Sequence, residues 1–243
     1  MGTAYAGVPL KQCSLLLEAD PMAELTQIYY ILLKEYGPRH WWPAQTPFEM
    51  MVGAILTQNT TWTNVEKAMN NFGEYLSPEY ISSIPKEELA QIIRSSGYYN
   101  QKALKLKGLT KWFEKYSYDI SKAMEVDGQV LRSELLAVKG VGRETADSIL
   151  TYALNKPFFV VDMYTKRILY RLGYKIPKTY DNLRLEIERS LPKELYVYNE
   201  FHALIVEHAK RYCKKSPDCK GCPLESLCQK RISDDSQSAI LGV

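Results

Sequence analysis

The sequence predicts an all-α protein with helices on both sides of a groove, and three observations carry that prediction. Apolar residues recur at helical spacing from Ala23 onward, and helix-start and helix-stop residues bracket those stretches. Apart from the brief FFVV at 158–161, no segment alternates as a strand does.

Thr46-Pro47 reads as an N-cap and first helical residue, followed by Phe48, Met51, Val52, Ile55 and Leu56 on one face. Val65, Ala68, Met69 and Phe72 repeat the pattern. Ala146, Ile149, Leu150, Ala153 and Leu154 do so after a pair of glycines, and Ile168, Leu169 and Leu172 do so before Gly173. Residues 1–22 read as an N-terminal extension without predicted structure.

The 243 residues are 46% hydrophobic, enough for a sizeable core in one or two domains. The net charge of +3 permits an anionic partner without demanding one. No apolar run reaches the roughly 18 residues of a membrane span, and the N-terminus lacks a signal-peptide pattern. The expectation is a cytoplasmic, nucleoid-associated protein.

KGVGRETAD at 139–147 lies between two apolar helical stretches. Gly140 and Gly142 allow a tight hairpin between helices and leave N–H groups bare where the second helix opens. Such N–H groups bind phosphate, so the turn would hold nucleic acid without reading its sequence. Asp162 follows four apolar residues and precedes an amphipathic helix with Lys166, Arg167 and Arg171. It can cap that helix, and it can also stand at the lip of an apolar pocket. There it would orient a water or stabilise a cationic sugar-like transition state.

Cys213, Cys219, Cys222 and Cys228 form C-x5-C-x2-C-x5-C, with Cys13 far away. Four close cysteines in such a chain predict metal thiolates over disulfides. Zinc and an iron–sulfur cube both take four thiolates, and spacing alone does not choose between them. Lys214, Lys215 and Lys220 make the loop cationic, suited to contacting phosphate.

GAILTQNTTWTNVEKA, GYYNQKALKLKGL, LLAVKGVGRETADSILTYA, VVDMYTKRILYRLG and the cysteine loop occur in an order that resembles the helix-hairpin-helix (HhH-GPD) DNA glycosylases of the endonuclease III superfamily. The resemblance covers about residues 25–230. It implies a two-lobed helical fold, double-stranded DNA across the cleft, a flipped damaged base, and a [4Fe-4S] cluster on the four cysteines. It further implies that Asp162 is the catalytic carboxylate and that Lys139, Gly140, Val141, Gly142 and Arg143 grip the backbone. Gln58 would fill the gap left by the flipped base. The first cysteine gap is one residue shorter than in endonuclease III itself, which keeps zinc as a minor alternative.

The larger departure lies after Gly142-Arg143. Bifunctional members resembling this chain carry a lysine there, which forms a Schiff base with the sugar, whereas this chain has Glu144. A carboxylate cannot form an imine, and Lys139 lies on the opposite side of the turn. The expectation is monofunctional hydrolysis by water, without AP-lyase activity. Trp41 and Trp42, followed by Pro43, and Trp62 after TQNTT supply aromatic faces suited to a flipped cationic base. With Glu144 they resemble the 3-methyladenine DNA glycosylase III branch, and all five are candidate pocket residues. Glu144 also suits the positive end of its helix. His40, His202 and His208 lack metal spacing and read as structural or solvated, and Tyr98 and Tyr99 read as packing residues.

The domain organisation expected from these motifs is a six-helix-type lobe at 45–155 with the hairpin at 130–154. A second lobe combines 23–44 and 156–212, followed by the cluster loop at 213–228 and a tail at 229–243. The leading expectation is a monomeric N-glycosylase of base excision repair acting on an alkylated purine. Two alternatives stay open: a glycosylase for another lesion (thymine or uracil opposite guanine, or an oxidised base), and a non-catalytic DNA-binding protein.

Overall fold

The structure is a computed structural model that describes residues 23–41 and 44–232. The N-terminal extension with Cys13, most of the tail, and the candidate pocket residues Trp42 and Pro43 lie outside the described residues.

Twelve α-helices and three short 3-10 turns make up the described residues, with no strand among them. They are α1 (Ala23–Tyr36), α2 (Pro47–Leu56), α3 (Trp62–Asn70), α4 (Pro78–Ser83), α5 (Lys86–Ile92), α6 (Tyr99–Glu114), α7 (Ile120–Glu125), α8 (Gly128–Ala137), α9 (Arg143–Tyr152), α10 (Met163–Leu172), α11 (Tyr180–Ser190) and α12 (Leu195–Arg211). The apolar run Phe158–Val161 forms no strand; Glu188 and Tyr180 accept from its Phe159 and Val161 N–H groups. It is buried, and it threads from one core to the other.

Local chemistry explains where the helices start. Thr46 caps α2 by accepting from Glu49 N at 3.1 Å, with Pro47 in the first turn, where its missing N–H costs nothing. Ser77-Pro78 repeats the device at α4, and Thr179 caps α11. Gly173 ends α10 at φ +120°, a conformation that disfavours any side chain.

The helices gather around two apolar cores. One joins α2 to α9 through residues such as Met51, Ile55, Leu106, Phe113, Ile149 and Leu150. The other joins α1, α10, α11 and α12 through Leu32, Phe159, Leu169, Ile187 and Phe201. Helix α2 is buried almost all round, so its end is a rigid base for the loop that follows.

Lys102, from the YNQKA stretch, fixes that end. Only 1% exposed, it donates to Leu56 O at 2.9 Å and Ser96 O at 2.6 Å, taking up a carbonyl at the open end of α2. Burial, helped by the charge of Lys105, lowers its pKa to about 8. Tyr98, in contrast, does not pack: it takes φ +48° to open α6 and leaves its ring in solvent. Tyr99 is half-buried against the first core.

A chain of ion pairs ties the hairpin to the second core. Arg132 on α8 reaches Asp147 on α9 at 2.6 Å and Asp181 on α11 at 2.5 Å, and Arg184 lies 3.7 Å from Asp147. Asp147 is fully buried, so these arginines supply the partners its charge requires.

Candidate functional site

The two cores meet at a cleft of about 780 Å³, lined by Gln58, Gly140, Gly142, Glu144 and Asp162 among others. An adjoining inner cavity of about 430 Å³ shares Glu144, Asp162 and Tyr164 and adds Trp41, Trp62, His202 and Lys210.

Asp162 does both things its sequence position allows. It is the N-cap of α10, with Oδ1 accepting from Thr165 N at 2.7 Å and Thr165 Oγ1 at 2.8 Å. It also lines the cleft and the inner cavity, with Oδ2 3.6 Å from His202 Nε2. Burial alone would raise its pKa. His202 and then the Thr165 bonds outweigh burial and leave the carboxyl below its ordinary value, so it is ionised at neutral pH.

Glu144 opens α9 and faces Asp162 across the cavity, so the positive helix end and the pocket wall are one place. Its side chain keeps surface open to solvent, yet the crowding walls strip enough water to raise its pKa to about 7. The Asp162 charge adds to that rise, and His202 and Lys166 oppose it.

The hairpin differs in detail from its sequence reading. Gly140 has φ +89°, a conformation that favours glycine, and a Cβ there would have to displace the Lys105 side chain, 2.6 Å away. Gly142 has φ −88° and ψ 176°, open to any residue. What it contributes is a bare approach: no side chain caps α9, and nothing stands within 4 Å of where a Cβ would lie. Val141 turns inward at 5% exposure, and its N–H is bonded to Val138 O at 3.0 Å, so neither its side chain nor that donor faces a ligand. Lys139 is exposed. Arg143 is exposed too but pairs with Asp181 at 2.6 Å, so a phosphate would compete with that carboxylate.

Gln58 is already engaged. Its Nε2 donates to Thr145 Oγ1 at 2.9 Å and Gly140 O at 3.4 Å, while Lys105 donates to its Oε1. It therefore joins the loop after α2 to the hairpin across the cleft.

The aromatic residues divide. Trp62 packs against the first core, donates Nε1 to Glu66 at 2.7 Å and lines the inner cavity. Trp41 stacks on His202 at 5.8 Å between ring centres and 19° between planes, with Lys210 Nζ 5.5 Å from its ring centre.

Two cavity residues escaped the sequence reading. His202, expected as structural or solvated, is buried beside Asp162, with Tyr152 OH 2.6 Å from its Nδ1. Lys210 stands in the inner cavity. One residue per helical turn on α12 was the only sequence signal for either, and it does not separate core from cavity.

The four cysteines line a further, separate cavity of about 350 Å³ with Arg171 and His208. None forms a disulfide. No three His, Cys, Asp or Glu among the described residues converge closely enough to hold a single ion. Burial first, then the other cysteines, pushes the Cys222 thiol up to about 11 and raises Cys228 as well, so bare thiolates need a positive group between them. Donors already face the sulfurs: Arg171 Nη1 lies 3.3 Å from Cys213 Sγ, and Lys230 N 3.4 Å from Cys228 Sγ. A thiol-lined space of this size has room for a polynuclear cluster, and its four thiols are the donors such a group takes. Lys214 and Lys215 are exposed beside it, and their carbonyls accept from Arg171 at 2.6 and 2.9 Å.

A helix-hairpin-helix set beside a carboxylate-capped helix, across a cleft, defines a class of DNA-repair enzymes. The chain belongs to that class: residues 52–193 match the HhH-GPD superfamily base excision DNA repair proteins. A Methanocaldococcus jannaschii protein named as a DNA repair glycosylase is 48% identical over 207 residues, covering 83% of this chain and 94% of that one. Endonuclease III of Bacillus subtilis is 32% identical, covering 80% and 86%. Among solved structures, 3-methyladenine DNA glycosylase of H. pylori bound to 1,N6-ethenoadenine superposes with TM-score 0.68. That match has 33% identity and covers 79% of this chain and 98% of that one. A non-covalent endonuclease III–DNA complex gives TM-score 0.74 at 28% identity, covering 86% and 95%. The protein is a DNA glycosylase of base excision repair. No described helix is long and apolar enough to cross a membrane.

Proposed function

We propose that the chain is a monofunctional N-glycosylase that binds double-stranded DNA as a monomer and hydrolyses the glycosidic bond of a flipped alkylated purine such as 3-methyladenine. The observation that carries this reading is the content of the inner cavity: an ionised Asp162 among aromatic faces, with Glu144 where the hairpin helix opens. An N3-alkylated purine is cationic and leaves readily, so it needs little acid catalysis, and Trp41 and Trp62 suit it through cation–π attraction. Asp162 would stabilise the positive charge that develops on the sugar and orient the attacking water. Likeness to a 3-methyladenine glycosylase holding an etheno-adenine supports the substrate class.

Phosphates would contact Gly140, Gly142, Lys139 and Arg143 at the hairpin and Lys214 and Lys215 beside the cysteines. Gln58 would move from its bonds with Thr145 and Gly140 into the gap in the duplex. Cys213, Cys219, Cys222 and Cys228 would hold a [4Fe-4S] cluster, whose iron supplies the positive charge that keeps four half-buried thiolates together.

The testing experiment incubates the protein with a panel of duplexes carrying 3-methyladenine, 1,N6-ethenoadenine, uracil opposite guanine, or an oxidised pyrimidine. Alkylpurine release with strands cut only after alkali, and no adduct trapped by borohydride, is the expected outcome. A trapped adduct overturns the monofunctional reading and makes Lys210 the first amine to replace, since it lines the cavity and Lys139 does not. Release of the uracil or oxidised base alone replaces the substrate class.

A further inference from the structure

Four separate elements converge behind Asp162. His202 comes from α12, Tyr152 from the last residue of α9, Trp41 from the segment before α2, and Asp162 from the start of α10. His202 is 6% exposed, and its Nε2 is buried without a hydrogen-bond partner among the described residues, aimed at Asp162 Oδ2 from 3.6 Å. A buried polar atom left in that state is uncommon, and it needs an explanation.

Thr165 supplies both bonds to Oδ1, so one carboxylate oxygen is anchored and the other is not. A carboxylate held by a single oxygen can still rotate about that anchor. We propose that His202, oriented by Tyr152, is a positioning residue that directs an Nε2–H at Asp162 Oδ2 and fixes the carboxylate plane for catalysis.

The tautomer follows from Tyr152. Burial first, then the charges of Asp162 and Glu200, raises the phenol well above its ordinary value, so it keeps its proton throughout the neutral range. Donating that proton to Nδ1 at 2.6 Å requires a bare Nδ1, which puts the proton of a neutral imidazole on Nε2. The opposite tautomer would point a lone pair at a buried carboxylate. The stack on Trp41 holds the ring in plane, and the bond from Tyr152 sets which way round it lies. At 3.6 Å the Nε2–Oδ2 contact is too long for a hydrogen bond, and a shift of about 0.6 Å brings it within reach. Catalytic hydrogen bonds commonly stand long in this way until substrate tightens them. Glu144 from α9, Lys210 from α12 and Lys166 from α10 itself also surround Asp162 or its cavity, and none of them donates a hydrogen bond to Oδ2.

The inference rests on Asp162 as the catalytic carboxylate, and the test separates the two. Single-turnover release is measured against pH on the lesion duplex that wild type excises in the panel above, with DNA affinity by fluorescence anisotropy. His202→Phe keeps the stack and loses the donor. Its release should fall about 10²-fold, the scale of a misplaced catalytic group. Its DNA affinity should hold, and its acid limb should move up in pH as Asp162 loses a favourable partner. His202→Gln keeps an amide N–H at similar reach and should recover most of the rate. Tyr152→Phe frees the tautomer and should fall between the two. Release by His202→Phe at the wild-type rate with an unmoved acid limb overturns the inference, as does a His202→Gln defect equal to that of Phe. If His202→Phe fails to fold, His202→Gln and Tyr152→Phe decide: the inference holds if Tyr152→Phe moves the acid limb and falls otherwise. Wild-type release by Asp162→Asn would sink the catalytic reading itself, whatever the His202 variants do.

Discussion

Replacing Asp162 by Asn separates its two jobs, because the amide can do one of them. The cap uses a single oxygen, which accepts from Thr165 N at 2.7 Å and Thr165 Oγ1 at 2.8 Å. Asparagine caps helices as well as aspartate does, so α10 should start unchanged and the melting temperature should hold. What disappears is a full negative charge at a site only 8% exposed. A sugar cation about 4 Å away interacts with that charge by about 4 kcal/mol at an effective dielectric near 20. In transition-state terms this is roughly a 10³-fold loss of base release. The assay is single-turnover release followed by alkali, with affinity for an abasic-site duplex measured beside it. Loss of release with retained affinity and melting temperature is the expected result. A variant that releases base at the parental rate would refute the electrostatic argument, and one that loses stability as well would show that the cap, and not the charge, is the residue's main work. Because the carboxyl lies below its ordinary value, activity should be level through neutral pH and fall only as Asp162 protonates under acid conditions.

Purified protein should be yellow-brown and carry about four irons per chain, and Cys222→Ala should lose colour; colourless protein with one zinc reverses that assignment. Lys214→Ala and Lys215→Ala should each reduce the salt slope of DNA binding by about one, alike for all sequences, and an unchanged slope removes the cysteine loop from the DNA interface. Glu144 is raised from 4.5 to about 7, so the folded state binds its proton more tightly than the unfolded chain does. That contribution is complete below pH 4.5 and lost as pH rises through 7. Glu144→Gln should therefore melt above wild type at alkaline pH and alike in acid, by about 1 kcal/mol once its exposure is discounted. Equal melting at every pH would show that the crowding does not act on Glu144. Arg132→Ala leaves buried Asp147 with Tyr180 and the more distant Arg184 as its partners, and denaturant unfolding should show a loss of about 3 kcal/mol. A loss no larger than that of an exposed ion pair would mean that Arg184 takes over.

The sequence by itself determined whatever depends on neighbours a few residues apart. Thr46 and Asp162 cap because a side-chain oxygen reaches an N–H three residues on, and that reach is written in the chain as i and i+3. Gly140 is legible because its positive φ excludes other residues, and the cysteines because one loop of sixteen residues holds all four. The absence of a lysine after Gly142-Arg143 is likewise a statement about one position. Tertiary structure alone decided which distant groups meet. Tyr152 and His202 touch across 50 residues of sequence, and Lys102 reaches Leu56 across 46. Both residues lie in amphipathic helices, where a polar residue turned to a cavity and one turned to water have the same periodicity. Nothing local marks Gly142 as conformationally ordinary or Val141 as inward, because both follow from how the turn settles against the first core. Local bonds leave a spacing in the chain, whereas contacts between helices depend on how their faces rotate against each other, and that is set only when the two cores close.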